Sequence, residues 1–181
     1  MSTTTDGTSQ LTGRAAAIRD AARELLEQDG PDGLAMRALA HRVGAHPPAV
    51  YRHFADKHAV EAAVVCEALY EIGDAMQAAL EGADDPLTAI AMVYREWAKE
   101  HPHLYRLTMG TPLDPANEDA QLHAGVAVRQ VTGGDVTAAR ALWACVHWLT
   151  VLELDERLPA DADVDAIWAC ALSAFRGQLA R

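Results

Sequence analysis

Two adjacent prolines constrain this chain more than any other pair of residues. Pro47 and Pro48 stand inside LAMRALAHRVGAHPPAVYRHFADK (Leu34 to Lys57), a stretch otherwise patterned for helices. Proline has no backbone N–H and a fixed φ. It is ruinous in mid-helix and nearly free of cost in a first turn, where the N–H groups have no intrahelical partner. The pair therefore marks a helix start. Just upstream, Met36, Leu39, Ala40 and Val43 recur at helical spacing, and Gly44 ends that run. A short helix, a glycine-containing turn and a second short helix from Pro47 to His53 form the helix-turn-helix pattern. In proteins that use this motif to bind DNA, the second helix enters the major groove.

The residues around that second helix suit the task. With Val50 and Phe54 turned inward, Tyr51, Arg52 and His53 cannot all be buried. Tyr51 and His53 can donate hydrogen bonds to phosphates. Lys57, at the start of a further helix, would combine a basic side chain with free N–H groups. Arg37 and Arg42 can neutralise more backbone. The same spacing also fits a packed three-helix bundle with a solvated basic face. The formal charge of −11 opposes nucleic acid, but its distribution matters. Residues 1–60 hold seven basic and seven acidic side chains, and the remaining 121 hold eight basic and nineteen acidic. His41, His46, His53 and His58 also lie in the neutral part.

At 181 residues the chain is long enough for one or two small domains. Alanine and leucine dominate and only two phenylalanines occur, which favours helices over strands. The periodicity predicts an all-α fold of about nine helices: 14–28, a short one ended by Gly44, 47–53, one capped by Asp56 and running to about Leu80, one opened by Pro86, a short one over 104–109, 117–131, 136–156 and one capped by Asp163. The fourth is too long for a three-helix domain and is expected to connect two domains. The expected layout is a disordered tail over 1–13, a helix-turn-helix domain over 14–60 and a helical bundle over 61–181. Cys66, Cys145 and Cys170 sit in apolar helical stretches and are expected to be buried, reduced thiols of a cytoplasmic protein. No apolar run of membrane-spanning length is present, and no His/Cys spacing suggests a metal. Nor is there a Gly-rich phosphate loop, a GxSxG, an HExxH or an evident acid pair on one helix face. The sequence therefore gives no support to an enzyme or to a cofactor.

The segment AMRALAHRVGAHPPAVYRHFADKHAV resembles the DNA-binding domain of TetR-family transcriptional regulators. Gly44, Tyr51, His53, Phe54 and Lys57 match at once, and the likeness covers roughly residues 14–60. Two positions depart from it: Ala35 and His46 stand where Ser or Thr often caps a helix. The resemblance implies Arg37, His46, Pro47, Pro48, Tyr51, Arg52, His53 and Lys57 as DNA-facing residues. In the C-terminal half, YREWAKEHPHLYRLTMG and ALWACVHWLTVLELDERL resemble the WHG subgroup. Trp143 and His147 match its Trp-x-x-x-His-Gly, but Trp148 replaces the glycine.

The family likeness further implies an effector cavity and a dimer. Candidate lining residues are Tyr70, Tyr94, Trp97, Tyr105, Met109, Trp143 and His147, in keeping with a largely apolar small molecule. The same residues also suit an ordinary bundle core. The last two helices are broadly apolar and would form a four-helix bundle in a two-fold homodimer, placing two recognition helices one turn of DNA apart on a palindrome. The expected function is a repressor released from its operator by an effector. Its alternatives are an activator of the same fold or a helical interaction module that no longer binds DNA.

Overall fold

A computed structural model describes residues 13–110, 112 and 114–179. The expected tail over 1–13 lies outside these residues except for Gly13. Among the described residues the chain is all-α. Its helices are α1 (Gly13–Gly33), α2 (Met36–Arg42), α3 (Pro47–Tyr51), α4 (Lys57–Ala79), α5 (Pro86–Glu100), α6 (Pro102–Gly110), α7 (Glu118–Ala124), α8 (Val126–Val131), α9 (Val136–Leu154) and α10 (Val164–Leu179), with a single 3₁₀ turn at Pro115–Asn117. Ten helices replace the expected nine because 117–131 is not one helix. The 3₁₀ turn opens it, and Gly125, a poor helix former, parts α7 from α8. The first helix, expected over 14–28, runs on to Gly33 through a kink, with φ 72° at Gly30. α3 ends two residues earlier than expected, at Tyr51.

The caps follow short-range chemistry. Asp56 Oδ1 accepts from the Ala59 N–H (2.8 Å) and Asp163 Oδ1 from that of Ala166 (3.0 Å), both as expected. Asp135 does the same for α9, accepting from Thr137 and Ala138. Ala35 and His46 make no side-chain cap bond.

The chain divides into two compact units: the described residues up to Ala68 together with 103–121, and 69–102 together with 122–179. The division between these units falls inside α4, after Ala68, and α6 with the 3₁₀ turn belongs to the first unit. In that unit α2 packs on α1 and α3 around Ile18, Leu26, Leu39, Val50, Phe54, Val60 and Val64. The segment 114–117 is tied to α4. Asn117 Nδ2 donates to the Ala62 carbonyl (3.1 Å), and His58 Nε2 lies 3.4 Å from Asp114 Oδ2.

In the second unit α5 packs on α8, α9 and α10, α8 on α9, and α9 on α10. Ile72, Met76, Ile90, Tyr94, Trp97, Leu142, Val146, Trp168 and Leu172 are buried there. α4 comes close to the α7–α8 junction at Gly73. A Cβ added at Gly73 would lie 2.6 Å from His123 Cδ2 and 3.1 Å from Ala124 Cα. Backbone cannot yield as a side-chain tip can. Gly73→Ala is therefore expected to cost about 1–3 kcal/mol, read as a lower urea midpoint, despite alanine's better helix propensity.

Candidate nucleic-acid interface and effector-site residues

The turn between α2 and α3 is built by a Schellman motif. The Ala45 N–H donates to the Ala40 carbonyl (2.8 Å) and the Gly44 N–H to that of His41 (3.1 Å). Gly44 has φ +61°, a conformation that side-chain-bearing residues adopt only at a cost. Arg14 Nη2 donates to the Val43 carbonyl (3.0 Å), fixing the turn from α1. Val50 is fully buried and Phe54 is 6% exposed, so α3 is held by one face. Its first intrahelical bond runs from the Ala49 N–H to the His46 carbonyl (2.8 Å), and the prolines occupy the two positions that need no N–H partner.

The basic residues of the first unit separate into two groups. Arg19 pairs with Asp20 and Glu67, both at 2.6 Å. Arg42, one of the candidates for backbone neutralisation, is held by Glu24 (2.9 Å) and Gln28 (2.6 Å). By contrast, Arg37, His46, Tyr51, Arg52 and His53 are exposed and make no hydrogen bond, ion pair or ring contact among the described residues. Lys57 lies between these cases. Its Nζ donates to the Pro31 carbonyl (3.1 Å) and stands 3.5 Å from Glu61, while Asp56 already caps the start of α4. Pro48 is exposed and Pro47 half-buried at the front of α3. The result is a short helix with a packed back, an apolar leading edge and polar side chains with no protein partner.

The effector candidates fall in different units. Tyr105 and Met109 belong to the first, and Tyr70, Tyr94, Trp97, Trp143 and His147 to the second. Tyr94, Trp97 and Tyr105 are buried. Trp97 Nε1 donates to Glu71 Oε1 (2.8 Å), and its ring lies 5.6 Å from that of His101. Tyr70 lies 5.0 Å from the His123 ring, and His123 Nε2 is 2.7 Å from Asp74. Trp143 does not join the core stripe of α9: it is 46% exposed and stacks on His147 at 5.4 Å. Burial lowers the pKa of His147, which favours the neutral imidazole. Trp148 is 57% exposed.

Sequence periodicity missed three of these features. Glu71 is a carboxylate among aromatic rings. The Asp74–His123 pair joins α4 to α7. Thr108 Oγ1, on α6, is buried with no hydrogen-bond partner among the described residues. Only Asp74, four residues on from Tyr70 and so on the same helix face, carried any signal in the sequence. Of the cysteines, Cys66 and Cys145 are half-buried with thiols raised by burial, but Cys170 is exposed, contrary to expectation.

A helix-turn-helix with an unpartnered polar face, in a chain that also carries a second helical unit, defines a DNA-binding transcriptional regulator. Comparison with known proteins agrees. Residues 18–64 match the profile of the family described as "Bacterial regulatory proteins, tetR family", and residues 87–175 that of the "Tetracyclin repressor-like, C-terminal domain". The chain belongs to the TetR family, whose members are regulators and not enzymes. It is 26% identical over 157 residues to the uncharacterized HTH-type transcriptional regulator YobS of Bacillus subtilis (strain 168), covering 81% of this chain and 82% of that one. It is 32% identical over 164 residues to the class C tetracycline repressor protein of Escherichia coli, covering 84% of this chain and 69% of that protein. A solved structure of a Rhodococcus sp. RHA1 protein of unknown function superposes with a TM-score of 0.78 at 25% identity, covering 97% of this chain and 100% of that one. No helix among the described residues is long and apolar enough to cross a membrane.

Proposed function

We propose that this chain is a cytoplasmic, homodimeric repressor that α3 docks on a palindromic operator and that a small, largely apolar effector releases. The observation that carries the DNA part is the set of exposed, unpartnered side chains Arg37, His46, Tyr51, Arg52 and His53 around α3. Exposed and not engaged by the protein, these side chains are open to phosphates and base edges. They surround the element whose geometry suits the major groove. Repression and release by a ligand rest on relatives named as tetracycline repressors. Footprinting the protein on DNA flanking its own gene tests the reading. A protected palindrome that vanishes as salt rises supports it, and absence of protection at low salt overturns it.

The dimer reading rests on α9 and α10. Trp143, Trp148 and Val136 are 46%, 57% and 48% exposed, and α10 adds Ala166, Ala169, Cys170 and Ala174 to the exposed surface. Apolar exposure on this scale is costly for a chain that stays single. A two-fold partner would cover it with the same face. Trp148→Glu is expected to shift the protein from dimer to monomer in sedimentation velocity and to lower operator affinity at least tenfold, since one half-site per monomer remains.

Thr108 supplies a polar contact for the effector. A buried hydroxyl without a partner costs roughly 1–3 kcal/mol, which a hydrogen-bonding group on a ligand recovers. Thr108→Val keeps the shape and removes the hydroxyl. It is expected to hold or raise the melting temperature of the free protein while weakening effector-induced release about tenfold. A melting temperature lowered by several degrees would instead assign the hydroxyl a structural bond.

A further inference from the structure

We infer that α3 selects its operator mainly through the 5-methyl groups of thymine, packed against the rings of Pro47 and Pro48 and the methyls of Ala45 and Ala49. The inference rests on the assignment of α3 to the major groove. Residues 45–49 form the leading edge of the second helix of the motif. There Pro48 is exposed, and Ala45, Pro47 and Ala49 are half-buried. Prolines at 47 and 48 remove two backbone donors, and Ala45 and Ala49 bring none in their side chains. His46 is the single side chain of that edge able to hydrogen-bond, and it stands at the N-cap position without capping the helix. The other polar side chains lie elsewhere: Tyr51, Arg52 and His53 at the rear of α3 and beyond, Arg37 on α2, Lys57 at the start of α4.

Base pairs differ in what they meet at such an edge. In the major groove both kinds of pair present two acceptors and a donor, which lose water against carbon alike. Thymine alone adds an apolar group, its C5 methyl. An edge of prolines and alanines therefore discriminates through the methyl, rewarding thymine by burial. Each methyl covered is worth roughly a three- to fivefold gain in affinity. Used once in each half of a palindrome, it amounts to about tenfold or more. The rear side chains and Lys57 then position the helix on phosphates without choosing the sequence.

The test uses the full-length dimer. A duplex is first enriched from a random pool. Each thymine of the half-site is then replaced, in both halves together, by deoxyuridine, which removes the 5-methyl and nothing else. The expected result is a loss of about tenfold at one or two thymines per half-site, with no change at flanking thymines. In Pro47→Ala and Pro48→Ala proteins, with helical content and dimerisation checked, the same replacement is expected to cost less than about threefold, because ring and methyl act on one another. A uracil operator that wild-type protein binds as tightly as the thymine operator overturns the inference while leaving DNA binding intact. So does undiminished uracil sensitivity in both variants. A pool that yields no enriched duplex overturns the assignment of α3 to the groove, and this inference with it.

Discussion

Replacing Tyr51 and Lys57 together by alanine is expected to lower operator affinity about a thousandfold. In the proposed complex each supplies one hydrogen bond to a phosphate, worth about 1 kcal/mol net or more. A two-fold assembly has four such contacts, so the loss is about 4 kcal/mol. Salt dependence separates the two residues. Lys57 brings a charge, so Lys57→Ala removes two phosphate neutralisations per dimer and flattens the slope of log K against log salt by about 1.8. Tyr51, 49% exposed, brings only a hydroxyl, so Tyr51→Phe weakens binding without moving that slope. The free protein holds Lys57 at 3.1 Å from the Pro31 carbonyl and 3.5 Å from Glu61, and DNA must draw it away from both. Glu61→Gln is accordingly expected to tighten binding slightly. Fluorescence anisotropy between about 50 and 200 mM salt measures all three. A double variant that binds as wild type does would remove these residues from the interface.

The helix-turn-helix was legible because its punctuation has strict backbone causes. Gly44 takes a positive φ that few residues tolerate, and the two prolines tolerate only a first turn. Val50 and Phe54 then had to be the packed face, which left Tyr51, Arg52 and His53 outside. The second unit was harder to read. α9 is apolar nearly all round, so periodicity could not say that Ala139, Leu142, Val146 and Thr150 face the core while Trp143 lies at its edge. The break at Gly125 was invisible because an isolated glycine is often carried within a helix. Arg42 looked available for phosphate, yet Glu24 and Gln28 on α1 claim it, and such pairings depend on how helices cross. Thr108 could not be found from the sequence, because whether a hydroxyl is satisfied is a property of its surroundings alone.

The two-sided charge acquires a physical sense from the pairing pattern. The first unit can approach DNA because several of its acids, Asp20, Glu24 and Glu67, are spent on Arg19 and Arg42. What remains unpaired around α3 is basic or neutral. The acidic excess belongs to residues 61–181, where repulsion from phosphate opposes any binding mode except one led by α3.

Arg95→Met is expected to destabilise the second unit by about 3–5 kcal/mol, lowering its melting temperature by about 10 °C. Sequence would place Arg95 at the surface, yet it is 8% exposed at the meeting of α5, α9 and α10. Its guanidinium grips Glu153 through Nε (2.7 Å) and Nη2 (2.8 Å) and reaches Asp165 through Nη1 (2.7 Å). Trp168 Nε1 adds a bond to Glu153 (3.1 Å) and presents its ring to the guanidinium at 5.3 Å. Losing Arg95 leaves a half-buried carboxylate without its main partner, which costs far more than the pair itself gains. Arg95→Met with Glu153→Leu should therefore recover most of the loss. Asp165, 84% exposed, contributes little, and Asp165→Asn should shift stability by under about 1 kcal/mol. Acid separates these cases further. Burial alone would raise the Glu153 carboxyl, but bonds from Arg95 and Trp168 and the charges of Arg95 and Lys99 hold it below the usual range. Its contribution is thus present above the ordinary carboxylate pKa and lost as pH falls through the lowered value. Without Arg95 the burial effect prevails, the carboxyl moves up, and acidification should relieve the variant while it weakens the wild type. Melting curves at pH 7 and at about pH 4 are expected to show the gap between the two proteins closing. A gap that stays constant, or a variant that melts with the wild type at both pH values, would mean that the guanidinium does not hold these three helices together.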